Sequence, residues 1–407
     1  DQEGDYFQQE FRLASNSEGM FSWYAGASYY REKIDTLFSF VGAEDHFCQY
    51  YGAYYNSGMT FTGCADLYAY YGSPFSPSSD GYLNETGRLV GDYSGWATYV
   101  DVRFDLSDQW SVSLGVRYTD DEKDFSINVP TPDSDLGAYW AYTFATDGNI
   151  TDTQSWSDTQ TRAIVTYQSD SDLMVFASYT EGFKSGGFGS FALIDATGAG
   201  VGGGDTDLTQ ADGFRPNTFD PETVDSLELG FKATLLEGRT ELNASIFSYD
   251  YQDLQVVVAD GGAASVRNVG EVEAWGLEAT LRTILNDNFD LYLAYSYLDT
   301  EATKLQTICG LADVNGCEGS ELFWAPDTTG ALVLKGSFPV ANGEIVSSFE
   351  LFYESERGGG FENLSETKID SFSDMSLRVA YRSNDNWLLG MYVENLSDEE
   401  TFDGQNN

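Results

Sequence analysis

The chain has 407 residues and a net charge of −46, from 66 acidic and 20 basic side chains. This balance argues against nucleic acid as a partner, because phosphates would be repelled and no basic stripe is present. No run of eighteen or more apolar residues occurs, which excludes a membrane-spanning helix, although the mean hydropathy of −0.32 does not argue against an alternating membrane strand.

Alternating apolar and polar residues predict fourteen β-strands. The pair Tyr93–Leu106 and Trp110–Asp121 shows the pattern best, with Trp96, Val100 and Phe104 on one face and charges of both signs on the other. An apolar face opposite a charged face indicates lipid on one side and water on the other. The predicted strands cover 5–15, 20–33, 93–106, 110–121, 157–168, 173–183, 220–235, 240–258, 266–285, 289–300, 328–338, 344–356, 369–382 and 386–396.

The connections between these strands alternate in length. Short turns rich in Asn, Asp, Gly and Ser alternate with long loops at 34–92, 122–156, 184–219, 301–327 and 357–368, and a shorter one near 259–265. In an up-and-down antiparallel barrel every second connection emerges at the same rim, whereas a β-sandwich mixes loop lengths at both ends. The pattern therefore predicts an all-β fold: an antiparallel, up-and-down transmembrane β-barrel.

Four cysteines form two close pairs, Cys48 with Cys64 and Cys309 with Cys317, each within one long loop. No C-x-x-C spacing is present, so a zinc ribbon or a thioredoxin-like site is not supported. Close pairs in loops predict two local disulfides and an oxidising compartment. By their place after even-numbered strands, both pairs are expected at the long-loop rim, on the external side of the barrel.

The long loops contain the candidate ligand contacts. The first is rich in aromatic rings, and the second adds more; the set is Tyr50, Tyr51, Tyr54, Tyr55, Tyr68, Tyr70, Tyr71, Trp140 and Tyr142. Rigid amphipathic rings suit ligand capture, and the alternative is that they pack the loops together. The only histidine, His46, offers neither a nucleophile–base pair nor a metal or haem site, so we expect no enzyme, no metal site and no cofactor.

Five segments, in order, resemble TonB-dependent outer-membrane receptors: EFRLAS at 10–15, FASYTEGFKSGGF at 176–188, FDPETVDSLELGFKATLLEGRTELNASIFSYDYQDLQ at 219–255, NVGEVEAWGLEATL at 268–281 and VENLSDEET at 393–401. The resemblance implies an integral protein of the bacterial outer membrane, with 22 barrel strands around an N-terminal plug. It also implies uptake of a scarce nutrient, most often a ferric siderophore. The energy would come from the TonB complex, contacted through a periplasmic TonB box.

The sequence departs from this pattern because neither a plug nor a TonB box precedes the first strand, and fourteen strands are fewer than 22. We therefore expect residues 1–407 to be one barrel domain in partial form, about 14 strands of a larger barrel. The expected partners are outer-membrane lipid, a small iron chelate or other nutrient, and the TonB complex through parts absent from this chain. The alternatives are a passive porin-like channel and a secreted β-sandwich adhesin.

Overall fold

One antiparallel sheet of fourteen strands dominates the computed structural model, which describes residues 1–16, 19–138, 141–169, 172–260, 263–305, 318–358 and 368–401. The sheet strands pair in chain order. They are β1 (Gln2–Ala14), β2 (Phe21–Ala43), β3 (Tyr82–Asp105), β4 (Trp110–Asn128), β6 (Ile150–Gln168), β7 (Leu173–Lys184), β11 (Glu222–Leu235), β12 (Thr240–Gln252), β15 (Gly270–Asn286), β16 (Phe289–Leu305), β17 (Thr328–Val340), β18 (Gly343–Glu354), β19 (Phe372–Ser383) and β20 (Leu388–Val393).

Shorter elements lie in the long connections. Two helices, α1 (Glu44–Tyr55) and α2 (Cys64–Tyr70), join β2 to β3. The short strands are β5 (Phe144–Thr146), β8 (Gly187–Ile194), β9 (Asp205–Leu208), β10 (Arg215–Phe219), β13 (Gln255–Asp260) and β14 (Ala263–Asn268), with a 3-10 turn at Gln210–Asp212. No helix in the described ranges has the length and apolar composition needed to span a membrane.

All fourteen predicted strands are present, and the short and long connections alternate as predicted. The up-and-down antiparallel barrel fold is confirmed, and the sandwich alternative is wrong because the fourteen strands form a single sheet. The sheet is open in this structure, since β1 and β20 occupy its two ends and do not pair with each other.

Three predicted elements, one loop and two strands, had wrong boundaries in a way that matters for the site. The first loop, predicted at 34–92, is shorter because β2 and β3 stay paired from Phe21↔Phe104 to Ala43↔Tyr82. The part of this ladder near the long loops lacks the apolar stripe that the part near the short turns carries. The two strands were therefore predicted too short. The strands predicted at 240–258 and 266–285 each break, near Asp253 (φ +54°) and Gly270 (φ +130°). The freed ends pair with each other as the separate β13–β14 hairpin.

The outward face of the sheet carries an apolar band bounded by aromatic rings. At the short-turn rim Phe21 packs on Phe104 with ring centroids 5.1 Å apart, and Trp110 packs on Tyr167 at 4.9 Å. At the upper limit Trp96 lies 5.3 Å from Tyr118. Eight residues separate Trp96 from Phe104, which is about 26 Å along a strand. This matches the height of the apolar band in outer-membrane barrels, about 25 Å.

The inward face is concave and polar. Arg162 on β6 donates to the Tyr24 hydroxyl on β2 at 3.2 Å, across two intervening strands, which requires the sheet to curve inward. More than half of the 20 basic side chains occupy inward positions in the strand registers. These are Arg12, Arg103, Arg117, Lys123, Arg162, Lys184, Lys232, Arg282, Lys335, Arg378 and Arg382.

Candidate functional site

The connection between β2 and β3 forms a compact helical module at the long-loop rim. A disulfide joins Cys48 on α1 to Cys64 on α2, with Cα atoms 4.9 Å apart. Gly52 is packed so closely that a Cβ there would meet the Phe61 ring at 2.7 Å. The Asp45 carboxylate accepts the backbone N–H of Cys64 at 2.9 Å. These contacts fix α2 against α1. The second predicted pair, Cys309 and Cys317, lies outside the described residues.

The Glu44 side chain fastens this module to its neighbours. Its carboxylate is buried, with 2% of its surface exposed, and lies in the first turn of α1. It accepts hydrogen bonds from the Ser78 backbone N–H at 2.9 Å and from the Ser134 hydroxyl at 2.5 Å. One carboxylate therefore holds together α1, the segment before β3 and the loop between β4 and β5.

Seven of the nine candidate contact residues lie on this module. Tyr50, Tyr51, Tyr54 and Tyr55 are on α1, Tyr68 and Tyr70 are on α2, and Tyr71 directly follows α2. Tyr51 and Tyr68 are half-buried and the other five are exposed. The rings contact one another: Tyr50 lies 4.9 Å from Tyr51, Tyr54 lies 5.1 Å from Tyr55, and Tyr70 lies 5.2 Å from Tyr71. We call the exposed five, Tyr50, Tyr54, Tyr55, Tyr70 and Tyr71, the tyrosine surface.

Two of these phenols make contacts that orient the module. The Tyr71 hydroxyl donates to the Asn56 Oδ1 atom at 2.8 Å, and the Tyr68 hydroxyl donates to the Asp135 carbonyl at 3.0 Å. Burial raises the pKa of Tyr68, and the Asp135 and Glu44 carboxylates raise it further. The Tyr68 phenol is therefore neutral at physiological pH. Some rings of the aromatic loop therefore pack the module, while others face solvent.

Tyr142 is not on this surface. It is fully buried, at 0% exposure, in an apolar cluster beneath the loops. Its ring contacts Phe38, Phe144 and Phe191 at 6.2, 5.9 and 5.4 Å. In this arrangement Tyr142 cannot touch a solute, so it leaves the set of candidate contacts. The ninth residue, Trp140, lies outside the described residues.

The apolar cluster around Tyr142 escaped the sequence reasoning. It joins inward side chains of the outer strand ends to side chains from two long loops: Leu89, Phe125, Ile127, Val129, Tyr142, Phe144, Ile150, Phe188, Leu193 and Leu208. The signal was present as apolar residues in segments read as loops, such as Phe144 and Leu193. Because these loops bury a core, they fold over the inward face of the outer strand ends.

Glu85, a residue of β3, holds the same loop in place. Its carboxylate is 1% exposed, and its Oε2 atom accepts the backbone N–H of Ala141 at 2.5 Å and of Tyr142 at 3.4 Å. The Tyr142 hydroxyl has no hydrogen-bond partner among the described residues. Burial raises the pKa of this phenol, as does the charge of Glu85. The buried Glu85 carboxylate therefore holds the backbone at Ala141 and Tyr142, next to the buried Tyr142 phenol.

A second cluster of polar side chains lies on the inward face, closer to the short turns. Its height along the strands is between the Trp96–Tyr118 and Phe21–Phe104 ring pairs. Arg12 donates to the Tyr99 hydroxyl at 3.1 Å and to Glu10 at 3.2 Å, and Arg162 pairs with Asp101. The guanidinium carbons of Arg12 and Arg117 lie 5.9 and 5.8 Å from the centre of the Tyr99 ring. We call Arg12, Arg117 and Arg162, with Tyr24 and Tyr99, the arginine wall.

Two glycines make room for the arginine wall. A Cβ at Gly26 would lie 2.3 Å from the Tyr99 hydroxyl, and one at Gly115 would lie 2.6 Å from Asp101 Oδ2. Tyr99 and Asp101 can therefore lie flat along the strands, which leaves an open cavity of about 560 Å³ in front of them.

The described residues offer no arrangement for catalysis on a metal. No group of three or more His, Cys, Asp or Glu side chains within them is placed to hold a metal ion. His46 is an exposed residue of α1. The described side chains at the rim and on the inward face form hydrogen bonds, ion pairs and ring contacts. Such contacts suit the recognition and passage of a solute.

Comparison with known proteins agrees with this reading. Residues 1–396 match the family model described as TonB dependent receptor-like, beta-barrel. The metal-pseudopaline receptor CntO of Pseudomonas aeruginosa is 24% identical over 341 residues, covering 82% of this chain and 40% of the relative. The probable TonB-dependent siderophore receptor PiuA of Acinetobacter baumannii is 26% identical over 258 residues, covering 61% of this chain and 33% of the relative. The chain thus spans less than half the length of these curated relatives.

Solved structures show the same fold. The ferric yersiniabactin uptake receptor FyuA from Yersinia pestis matches with a TM-score of 0.65 and 15% identity, over 98% of this chain and 50% of that one. The siderophore receptor PiuA from Acinetobacter baumannii matches with a TM-score of 0.65 and 17% identity, over 98% and 53%. With the match to the family model over nearly its whole length, the chain belongs to the TonB-dependent receptors, and its strands form part of their β-barrel, an integral domain of the outer membrane.

Proposed function

We propose that this chain is the barrel portion of a receptor for energised uptake of a scarce nutrient, with a ferric siderophore as cargo. The observation that carries the proposal is the tyrosine surface, held outward at the long-loop rim by the Cys48–Cys64 disulfide and the Glu44 contacts. Exposed, pre-positioned rings give contact area at low entropic cost. Relatives named as siderophore and metal-pseudopaline receptors support a metal chelate as the cargo class.

The whole receptor would need parts beyond these fourteen strands. Unpaired backbone groups at the free edges of β1 and β20 would be costly in lipid, so a membrane sheet must close. We propose that residues 1–407 are one partial barrel domain, closed by further strands of the complete protein. We also propose that its partner in energy transfer is the TonB complex, which acts on segments outside this chain. Passive, porin-like diffusion is the alternative that the test below must separate.

The test is uptake of radioactive iron by cells whose gene for the complete receptor is deleted and then restored. We expect restored cells to take up iron from at least one of a panel of ferric siderophores, and a protonophore to abolish that uptake. Uptake that continues without a proton gradient would indicate a passive channel. Uptake of nickel, cobalt or zinc chelates without iron uptake would contradict the ferric siderophore as cargo. The proposed role as an uptake receptor would then still stand.

Paired variants test the tyrosine surface in the same assay. Replacing Tyr54 and Tyr55 together with Ser removes two exposed rings, and replacing both with Phe keeps the rings. We expect the Ser variant to lower the apparent affinity for the cargo by about tenfold, since a loss of ~1.4 kcal/mol corresponds to that factor. The Phe variant should stay close to wild type. Equal affinity in the Ser variant and wild type would remove the tyrosine surface from the binding site.

A further inference from the structure

The tyrosine surface lies on a segment of the chain that contains no basic side chain. Residues 44–81, which form the helical module, include neither Lys nor Arg. The acidic residues of this segment are Glu44, Asp45, Asp66 and Asp80. Asp45 accepts a hydrogen bond from the Cys64 N–H at 2.9 Å, and Asp66 accepts one from the Thr62 N–H at 3.0 Å. Because these donors are neutral, the module keeps a net negative charge.

The cations closest to the module along the chain do not compensate this charge. They lie on the ends of β2 and β3 that carry the module, and each pairs with a carboxylate. Arg88 pairs with Asp35 at 2.5 Å. Arg31 and Lys33 pair with Asp92 at 2.6 and 3.6 Å. Residues 30–95 as a whole hold eight acidic and three basic residues, so this side of the rim is acidic.

The other long connections have the same balance of charge. Acidic residues outnumber basic ones by 18 to four in the connections 129–149, 185–221, 253–269, 306–327 and 355–371. Two of the four basic residues are paired, Arg357 with Glu354 at 3.0 Å and Lys368 with Glu356 at 2.8 Å. A rim with this excess of one sign attracts cations and repels anions.

The tyrosine rings also favour a cation over an anion. The face of an aromatic ring carries negative potential, and a positive group within about 6 Å of its centre is attracted to it. In three neighbouring pairs of the module the rings meet edge to face, at interplanar angles between 76° and 87°. Such a partner covers at most one ring face in each pair. Open faces therefore remain, and the Tyr54 and Tyr55 side chains are 71% and 74% exposed.

We propose that the tyrosine surface takes a metal chelate with a net positive charge and discriminates against chelates with a net negative charge. The proposal rests on the proposed function and deepens it, because it assigns the charge of the cargo. The rings supply contact area and attraction to a cation, while the carboxylates of the rim raise the local concentration of a cationic chelate. The second effect weakens in salt, since the screening length falls from about 10 Å at 0.1 M to about 3 Å at 1 M.

Two luminescent probes of opposite charge test this on the complete receptor, purified in detergent. Ruthenium(II) tris(2,2′-bipyridine) is a dication, and its hexacarboxylate analogue is a tetraanion on the same aromatic framework. Luminescence anisotropy measures the binding of each probe at low and at high salt. We expect the dication to bind about tenfold more tightly than the tetraanion, or better, at low salt, and the ratio to fall at high salt.

Two pairs of variants separate the contribution of the rings from that of the charge. Replacing Tyr54 and Tyr55 together with Ser should lower the affinity for the dication by about tenfold, whereas Phe at both positions keeps the ring faces and the affinity. Asp66→Asn removes one exposed charge from the module and should lower this affinity roughly two- to fivefold, the scale of an exposed charge pair. Asp108→Asn removes the same charge at the opposite rim and is the matched control, with little expected effect.

The proposal is supported if the dication is preferred and its binding depends on the Tyr54 and Tyr55 rings and on the Asp66 charge, in variants shown to be folded by heat-modifiable migration. Equal or tighter binding of the tetraanion, no binding of the dication, or unchanged binding in the Ser variant overturns it. Energised uptake of ferric siderophores is measured separately. Uptake without a preference for the dication means that the inference fails while the proposed function stands. A preference for the dication without energised uptake would contradict the proposed function instead.

Discussion

Two buried carboxylates, Glu44 and Glu85, hold residues at the long-loop rim, although burying a carboxylate normally costs free energy. Glu44 and Glu85 are carboxylates with almost no exposure. Glu44 accepts hydrogen bonds from Ser78 and Ser134, and Glu85 accepts them from the backbone of Ala141 and Tyr142. Burying a carboxylate costs free energy, which its hydrogen bonds must offset. Both carboxylates receive donors from the segment 134–142, which they fix over the inward face of the strands.

Tyr142 provides the first prediction. Its buried hydroxyl has no hydrogen-bond partner among the described residues, and an unsatisfied buried polar group costs about 1–3 kcal/mol. Tyr142→Phe should therefore slow hydrogen exchange of the backbone amides at 141–146 in the complete receptor. Glu85→Ala is the opposing control, because it leaves the Ala141 and Tyr142 N–H groups without their acceptor and should speed the same exchange. Faster exchange in Tyr142→Phe would show that the hydroxyl stabilises the loop.

At the scale of the strands, the period of two decides which face meets lipid. On β11, Leu227 and Leu229 are exposed on the outward face, in register with Ser248 and Ile246 of β12. Thr234 lies on the inward face near the short-turn rim. The same alternation allowed the fourteen strands to be predicted from sequence, since each carries its own apolar stripe.

A pair of substitutions on β11 tests this assignment. Leu229→Arg places a charge in lipid near mid-height and should lower the free energy of unfolding by about 2–4 kcal/mol. Thr234→Arg places the same side chain toward water and should have a mild effect. Urea unfolding of the complete receptor folded into lipid vesicles measures both. Equal losses in the two variants would contradict the face assignment.

Five neighbouring strands carry a row of carboxylates on the outward face, just above the apolar band. The register places Glu181 opposite Asp225, Asp225 opposite Asp250, Asp250 opposite Glu273, and Glu273 opposite Glu301. The Tyr179 hydroxyl lies 2.8 Å from Glu181 and 2.9 Å from Asp225. Like charges directly opposite one another on a sheet are destabilising.

Asp250→Asn should therefore raise the free energy of unfolding, by roughly 0.2–1 kcal/mol at low salt and less at high salt. The reason is that Asp250 faces a carboxylate on both sides, so its removal relieves two repulsions. Asp108→Asn, in the short turn between β3 and β4, is the matched control and should change stability little. The measurement is the same unfolding experiment at two salt concentrations. A loss of stability in Asp250→Asn would contradict repulsion within this row of carboxylates. It would indicate that a group outside the chain stabilises them.

Across the whole molecule, the sequence predicted the sheet well and the long loops poorly. Strands such as Phe289–Leu305 follow from local alternation, whereas the α1–α2 module has no amphipathic stripe strong enough to indicate helices. The cluster around Tyr142 joins residues more than a hundred positions apart, from Leu89 to Leu208, so no local pattern reveals it. The Cys309–Cys317 disulfide stays a prediction.

The proposed function requires that the long loops, which carry the tyrosine surface, face the cell exterior and that the short turns face the periplasm. Single cysteines in the complete receptor test it: Ser79→Cys in the segment before β3, and Asp108→Cys in the turn between β3 and β4. Both positions are exposed, and the native Cys48–Cys64 pair is oxidised. On intact cells a membrane-impermeant maleimide should label Ser79→Cys only, and Asp108→Cys should react only after the outer membrane is opened. Labelling of Asp108→Cys on intact cells with Ser79→Cys protected would reverse the orientation, and labelling of both would show that the sheet does not span the membrane.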